Sequence, residues 1–120
     1  MIKNLDFCEL NFCDNYVICK VNPGATVTTE KSQLQTETIL DYYKEKPFVY
    51  ITHRENSYAV DPKIYSKSSK IKTLVGFAVV SSNYSSVRNA HFEKMFFDKP
   101  FEVFTTLDNA ISWANELLKK

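Results

Sequence analysis

Three cysteines, Cys8, Cys13 and Cys19, fall within twelve residues and are the first groups whose chemistry has to be weighed. A metal would need their side chains to converge. With Asp14-Asn15 as a two-residue hairpin turn, Cys13 lies opposite Tyr16 and Leu10 opposite Cys19. Strand side chains alternate faces, so Cys8 shares a face with Leu10, Phe12 and Cys19 while Cys13 points the other way. Three ligands do not converge from that arrangement. The odd count, with no export signal in Met1-Ile2-Lys3-Asn4-Leu5-Asp6, also argues against a disulfide framework. The expectation is small, buried, apolar cysteines.

Histidine, serine and carboxylate pairs offer little more. His53 and Ser57 are four residues apart, but no third group to orient the histidine can be named. Glu55 and Asp61 are close in sequence, yet Asp61 followed by Pro62 reads as a helix cap. His91 shares its segment with Phe92 and Met95 and reads as structural or solvated. Two glycines, Gly24 and Gly76, cannot build a dinucleotide fingerprint or a phosphate-binding loop, and no GxSxG elbow occurs. The reading therefore names no catalytic residue, no metal and no cofactor.

What remains is two polar stretches that each follow a deeply apolar one. The first is Thr52-His53-Arg54-Glu55-Asn56-Ser57-Tyr58 and the second is Ser81-Ser82-Asn83-Tyr84. In open α/β sheets ligands gather beyond the carboxyl ends of parallel strands. Helix N-termini offer free N–H groups to an anion there, and an arginine adds a bidentate charge. Arg54, Asn56, Ser57 and Tyr58, with Ser82 and Asn83 across from them, form the candidate partner-binding or ligand-binding edge.

The elements that must position this edge are legible as a series. Residues 6–13 and 16–21 are short, aromatic and β-branched and read as an antiparallel hairpin. Residues 28–44 read as a helix capped by Thr28, with Leu34, Thr38, Ile39 and Tyr42 near one thin apolar face. Pro47 ends it. Residues 48–52 and 74–80 are continuously apolar, as strands covered on both faces are. A short helix over 62–69 makes the crossover between them. A third helix spans 84–97, with Val87, His91 and Met95 in one row and Phe92 and Phe96 alongside. Since adjacent residues cannot share a helix face, one of Phe96 and Phe97 is a candidate for exposure. A strand at 101–104 precedes the clearest helix, where Leu107, Ala110, Ile111, Ala114, Leu117 and Leu118 keep strict helical spacing. The fold class is mixed α/β: an N-terminal β-hairpin, then alternating α and β, with about five strands in a mixed sheet flanked by four helices.

Composition sets the outer limits. A chain of 120 residues is one domain, 1–120. Its 44% hydrophobic and 24% charged content is that of a soluble globular domain and excludes intrinsic disorder. A net charge of +1 with scattered basic residues gives no nucleic-acid footprint. No apolar run is long enough to span a membrane, and the expected location is cytoplasmic.

Four stretches then resemble a known family. They are the hairpin followed by Val27-Thr28-Thr29-Glu30, the segment from Pro47 to Pro62, the strand from Val75 to Val80, and the tail from Phe101 through Trp113. The tail is similar to a family ending in which a V-F strand precedes A-x-x-W. Over nearly its whole length the chain resembles the STAS/SEC14-like family, small relatives of anti-sigma-factor antagonists. It looks closest to a group of uncharacterised bacterial members common in Bacteroidetes-type genomes. The resemblance implies a single STAS-like domain, 1–120, with a regulatory or binding role and no catalysis.

In true antagonists a serine in an Asp-Ser-Ser/Thr-Gly context is phosphorylated. The matching position here reads Asn56-Ser57-Tyr58-Ala59, without the Asp and the Gly. In SEC14-like relatives the same architecture holds a lipid, for which a chain this short offers at most a shallow groove under residues 84–97. The leading expectation is a non-enzymatic domain that binds a protein partner or itself. The alternatives are a small anionic or lipid-like ligand, bound at the same edge or at Phe92, Phe96 and Phe97, and an enzyme of unknown class.

Overall fold

Asp14 and Asn15 turn the chain back on itself, and the Cys13 N–H donates to the Tyr16 carbonyl at 2.9 Å to close the hairpin. In this computed structural model, which describes residues 1–22, 28–54 and 63–119, the hairpin strands are β2 (Cys8–Phe12) and β3 (Tyr16–Val21). Their register sets Leu10 opposite Cys19, as the turn requires. A further strand, β1 (Ile2–Asn4), pairs antiparallel with β2 at the sheet edge. It is three residues long and exposed throughout, so it carries no apolar alternation by which a sequence could announce it.

After the hairpin the chain alternates: α1 (Thr29–Tyr43), β4 (Phe48–His53), α2 (Lys63–Ser68), β5 (Leu74–Val80), α3 (Tyr84–Glu93) with a 3-10 turn at Lys94–Phe96, β6 (Phe101–Phe104) and α4 (Leu107–Leu118). The six strands form one sheet in sequential order, antiparallel from β1 to β3 and parallel from β3 to β6. The two apolar segments at 48–52 and 74–80 are adjacent and parallel, which the polar edge required.

Sequential order has a consequence for layering. Right-handed crossovers that always step in the same direction put every crossover helix on the same face. So α1 and α3 pack on the cluster built by Cys8, Leu10, Phe12, Val17, Cys19, Phe48, Phe77, Val79 and Phe101. The opposite face, with Ile18, Val49, Ile51, Ala78 and Val80, is left to α4, which is not a crossover.

The α4 face closes tightly. Ala110 and Ala114 are fully buried, and Leu107, Ile111, Trp113, Leu117 and Leu118 pack around them, as the helical spacing predicts. Thr106 caps the helix by accepting from the Asn109 N–H at 3.3 Å. Gly76 lies directly beneath: a Cβ there would come within 2.6 Å of Leu117 Cδ2 and 3.0 Å of Trp113 Cη2. The absence of a side chain at Gly76 is what lets the helix seat on the strand.

The other face departs from the expected helix stripes. On α1 the buried residues are Ser32, Gln35, Ile39 and Tyr43, while Leu34 and Tyr42 are exposed. On the α3 segment Ala90, Glu93 and Phe97 are buried, and His91, Phe92, Met95 and Phe96 face outward. In both helices the inward row includes polar side chains with specific partners, which an apolar periodicity cannot reveal. Tyr43 Oη donates to the Cys13 and Tyr16 carbonyls at 2.7 and 2.6 Å, fastening α1 to the hairpin turn. Lys99 Nζ fastens the other end of this face, donating to the Ile71 and Leu74 carbonyls. Burial lowers its pKa below that of an ordinary lysine.

Candidate functional site

A six-residue helix cannot roof the sheet that its neighbours of 15 and 10 residues cover. Between α1 and α2 a groove therefore opens down to the strands. Val21, Phe48, Tyr50, Thr52 and Phe77 line its floor. Ser32, Gln35, Thr36 and Ile39 line the α1 wall, and Ile64, Ser68 and Ile71 line the other. Its inner part has room for only about 50 Å3, a narrow cleft, and the space outside it holds about 350 Å3, within the span of ligand pockets, roughly 300–1,000 Å3. A wider vestibule continues outward past Gln33, Glu37 and Lys67. The sequence reading placed a shallow groove under residues 84–97; this one lies beneath α1 and α2 instead, because the gap follows the short crossover rather than the aromatic helix.

Arg54 lies at the inner end, 3% exposed, and also lines the groove. It does not present its charge to solvent. Its guanidinium donates to Glu93 in bidentate form, Nη2 to Oε1 at 2.6 Å and Nη1 to Oε2 at 3.3 Å. Alternation along β4 turns Thr52 and Arg54 toward the helices α1 and α3 and His53 toward the α4 side. The Arg54 N–H donates to the Val80 carbonyl at 2.8 Å, joining the ends of β4 and β5. A buried pair of this kind is neutral as a unit, and either member alone would be a costly buried charge.

The other edge residues are distributed differently. Ser82 and Asn83 follow β5 and are exposed. The Asn83 N–H donates to Ser81 Oγ at 3.1 Å and the Asn83 carbonyl accepts from Val87 N–H at 3.0 Å, so this segment starts α3. Asn56, Ser57 and Tyr58 lie outside the described residues, as do Glu55, Gly24 and the Asp61-Pro62 pair expected to cap a helix. His53 Nδ1 is buried with no hydrogen-bond partner among the described residues, and His91 is exposed on α3.

The two buried cysteines lie behind Gln35 of the groove wall and do not line the groove. Cys8 and Cys19 are buried on the helix-covered face, and half-buried Cys13 lies apart from them, as alternation demands. They are not merely apolar. Gln35 Nε2, in the groove wall, donates to Cys19 Sγ at 2.9 Å and to Cys8 Sγ at 3.6 Å. Cys19 donates its S–H to Cys8, which lowers the Cys8 pKa against the opposing effect of burial. The same bond, with burial, raises Cys19 well above an ordinary thiol, although Tyr50 also donates to it. Sequence reasoning missed Gln35 and Glu93. The one available signal was a polar residue in helical register with Ile39 or Ala90, facing inward.

A six-stranded mixed sheet in this order, with three crossover helices on one side and a terminal helix on the other, has a counterpart of known structure. It is an uncharacterized protein from the DUF3478 family with a SpoIIAA-like fold, from Shewanella loihica PV-4. The TM-score is 0.65 at 15% identity, over 95% of this chain and 98% of that one. The chain has a SpoIIAA-like, STAS-type fold. The STAS-type architecture expected from the four sequence stretches is thus present, with six strands in place of five. No protein-family profile matches the chain, and no curated protein does. No helix among the described residues is long and apolar enough to cross a membrane.

Proposed function

We propose that this domain is a non-enzymatic binding module whose groove between α1 and α2 takes a small, elongated, largely apolar molecule with an uncharged polar end. The observation that carries the reading is the groove itself, open to solvent yet floored by Phe48, Tyr50 and Phe77 and walled by Ile39, Ile64 and Ile71. Such a surface is favourable to cover, because apolar area removed from water gains about 25 cal/mol per Å2. Gln35, Ser32, Thr36 and Thr52 supply the polar groups that orient a ligand. The Arg54–Glu93 pairing favours a neutral end over an anionic one, since an anion would have to displace Glu93. Neither a histidine nor a carboxylate lines the inner groove among the described residues, which supports binding rather than acid–base chemistry.

The test is a thermal-unfolding titration with 1-decanol and with decanoate. A ligand that binds only the folded state raises Tm with concentration. The alcohol is expected to raise it more than the carboxylate. Thr36→Trp, which fills the mouth, is expected to abolish both shifts while leaving the unliganded Tm unchanged. No shift with either probe overturns the reading.

A second reading, a protein partner or self-association, rests on one observation. Phe92, Met95 and Phe96 are 57%, 77% and 38% exposed, and the Phe92 and Phe96 rings are in edge contact at 5.4 Å. Contiguous exposed apolar side chains mark interaction surfaces. A domain that ignores both probes but self-associates through Met95, and loses that association in Met95→Asp, would establish this reading instead.

A further inference from the structure

We propose that the outward face of α3 pairs antiparallel with the same face of a second copy of this chain, across a two-fold axis near Glu93. The inference rests on the reading of that face as an association surface and is independent of what the groove binds. Helical spacing puts Arg88, Phe92 and Met95 in one row that points away from the sheet, opposite buried Ala90, Glu93 and Phe97. Asp98 follows the 3-10 turn and is exposed, and its N–H donates to Ser69 Oγ at 3.0 Å. The apolar part of the row is thus bracketed by a cation before it and an anion after it. Among the described residues neither Arg88 nor Asp98 has an ion-pair partner. The neighbouring Lys94, by contrast, is paired with Glu102 at 3.5 Å.

This order of groups is complementary to its own reverse. An antiparallel second copy sets Arg88 of one chain opposite Asp98 of the other, and the midpoint of that pair is Glu93. The same reversal sets Phe92 opposite Met95, with its midpoint between Glu93 and Lys94. One two-fold axis therefore serves both the charges and the apolar side chains, as an interface between identical copies requires. Each ion pair and each Phe–Met contact forms twice, and a thioether packs favourably against an aromatic ring. Phe96, whose ring touches that of Phe92 at 5.4 Å, lies on one flank of the row. An axis of this direction brings the same flank of both copies together, so Phe92 and Phe96 of both chains meet in one aromatic cluster. A parallel pairing would instead set Arg88 against Arg88 and Asp98 against Asp98, and like charges oppose it. One helix face supplies less than the roughly 800 Å2 per partner of a standard interface, so the dimer is weak and exchanges with monomer.

The experiment is sedimentation equilibrium of the full chain in reducing buffer, from about 10 μM to about 1 mM, the range in which weak complexes form. Wild type is expected to pass from monomer to dimer over this range, and a monomer throughout overturns the proposal. Met95→Asp is expected to weaken association by about tenfold or more, and an unchanged dimer overturns the placement on α3. The orientation is tested with Arg88→Asp and Asp98→Arg. Alone, each variant sets like charges together at both ends of the interface and is expected to weaken association about tenfold. Mixed in equal amounts, the two variants regain both ion pairs in a heterodimer, so the mixture is expected to associate as wild type does. Recovery on mixing also shows that each variant is folded. A dimer that neither variant weakens, or a mixture no better than its parts, overturns the antiparallel pairing. Loss of the dimer in Met95→Asp would then still uphold α3 as an association surface, so the two failures are distinguishable.

Discussion

The two faces of the sheet are built from similar strands and differ in how they are covered. On the α4 side a helix of alanines and leucines seats against Gly76, and the residues clustered at the contact are apolar. On the α1–α3 side three helices share the work. The shortest leaves a groove, and the buried rows include Gln35, Arg54, Glu93 and a pair of thiols. One face is thus specified by shape and the other by hydrogen bonds. A face held by polar pairs stays adaptable around a cavity, whereas close packing leaves no room for a ligand.

The sharpest way to break that contrast is to orphan a charge. Arg54→Ala leaves Glu93 buried without its bidentate partner. Urea unfolding is expected to show a loss of about 3–5 kcal/mol, and the double change Arg54→Met/Glu93→Leu to recover most of it. If the single variant is neutral, the polar side does not depend on its ion pair. The matching probe of the α4 side is Gly76→Ala. The added methyl would meet Leu117 Cδ2 at 2.6 Å, and overpacking of this kind costs about 1–3 kcal/mol. Trp113 is the chain's one tryptophan and packs at this contact, so its fluorescence reports whether α4 has moved. An unshifted spectrum with unchanged stability would show that this face has slack.

Tyr43→Phe is the mildest test, removing the hydroxyl that joins α1 to the Cys13 and Tyr16 carbonyls, at a cost of about 1 kcal/mol. Its pH dependence sharpens the point. Burial first, and then the nearby Cys13 and Tyr42, raise the Tyr43 pKa above 10.0 in the folded protein. A raised pKa means that the folded state holds the proton more tightly than the unfolded one. The stabilisation is therefore complete below pH 10.0 and lost as the pH rises beyond it toward the raised value. Alkaline destabilisation in this range is expected to be smaller in Tyr43→Phe than in wild type. An identical pH profile in both proteins would remove Tyr43 from the account.

Legibility in the sequence follows the same division. The helix at 107–118 is amphipathic by simple spacing, and the hairpin follows from one turn and strict alternation. The strands at 48–52 and 74–80 are apolar enough to require cover on both sides. The expected α1 stripe runs through Leu34, Thr38, Ile39 and Tyr42; Ile39 does face in, whereas Leu34 and Tyr42 face solvent and Gln35 and Ser32 are buried. Likewise α3 turns Glu93 inward and Phe92 out. Among the candidate edge residues Arg54 is expected to offer a bidentate charge to an anion, and in the structure that fork is met by Glu93, 39 positions further along the chain. No local pattern encodes a partner at that distance. Ser82 and Asn83 were placed correctly at the end of β5 and at the start of a helix.

By itself the sequence determined the order of strands and helices from β2 onward, the hairpin register and the α4 contact surface, because periodicity and turn chemistry act over a few residues. The tertiary structure alone decided that three crossover helices share one face, that the shortest of them leaves a groove, and that Gln35 meets two thiols and Arg54 meets Glu93. The reason is that side chains from distant segments acquire partners only when the handedness of the crossovers has set which helix lies over which strand.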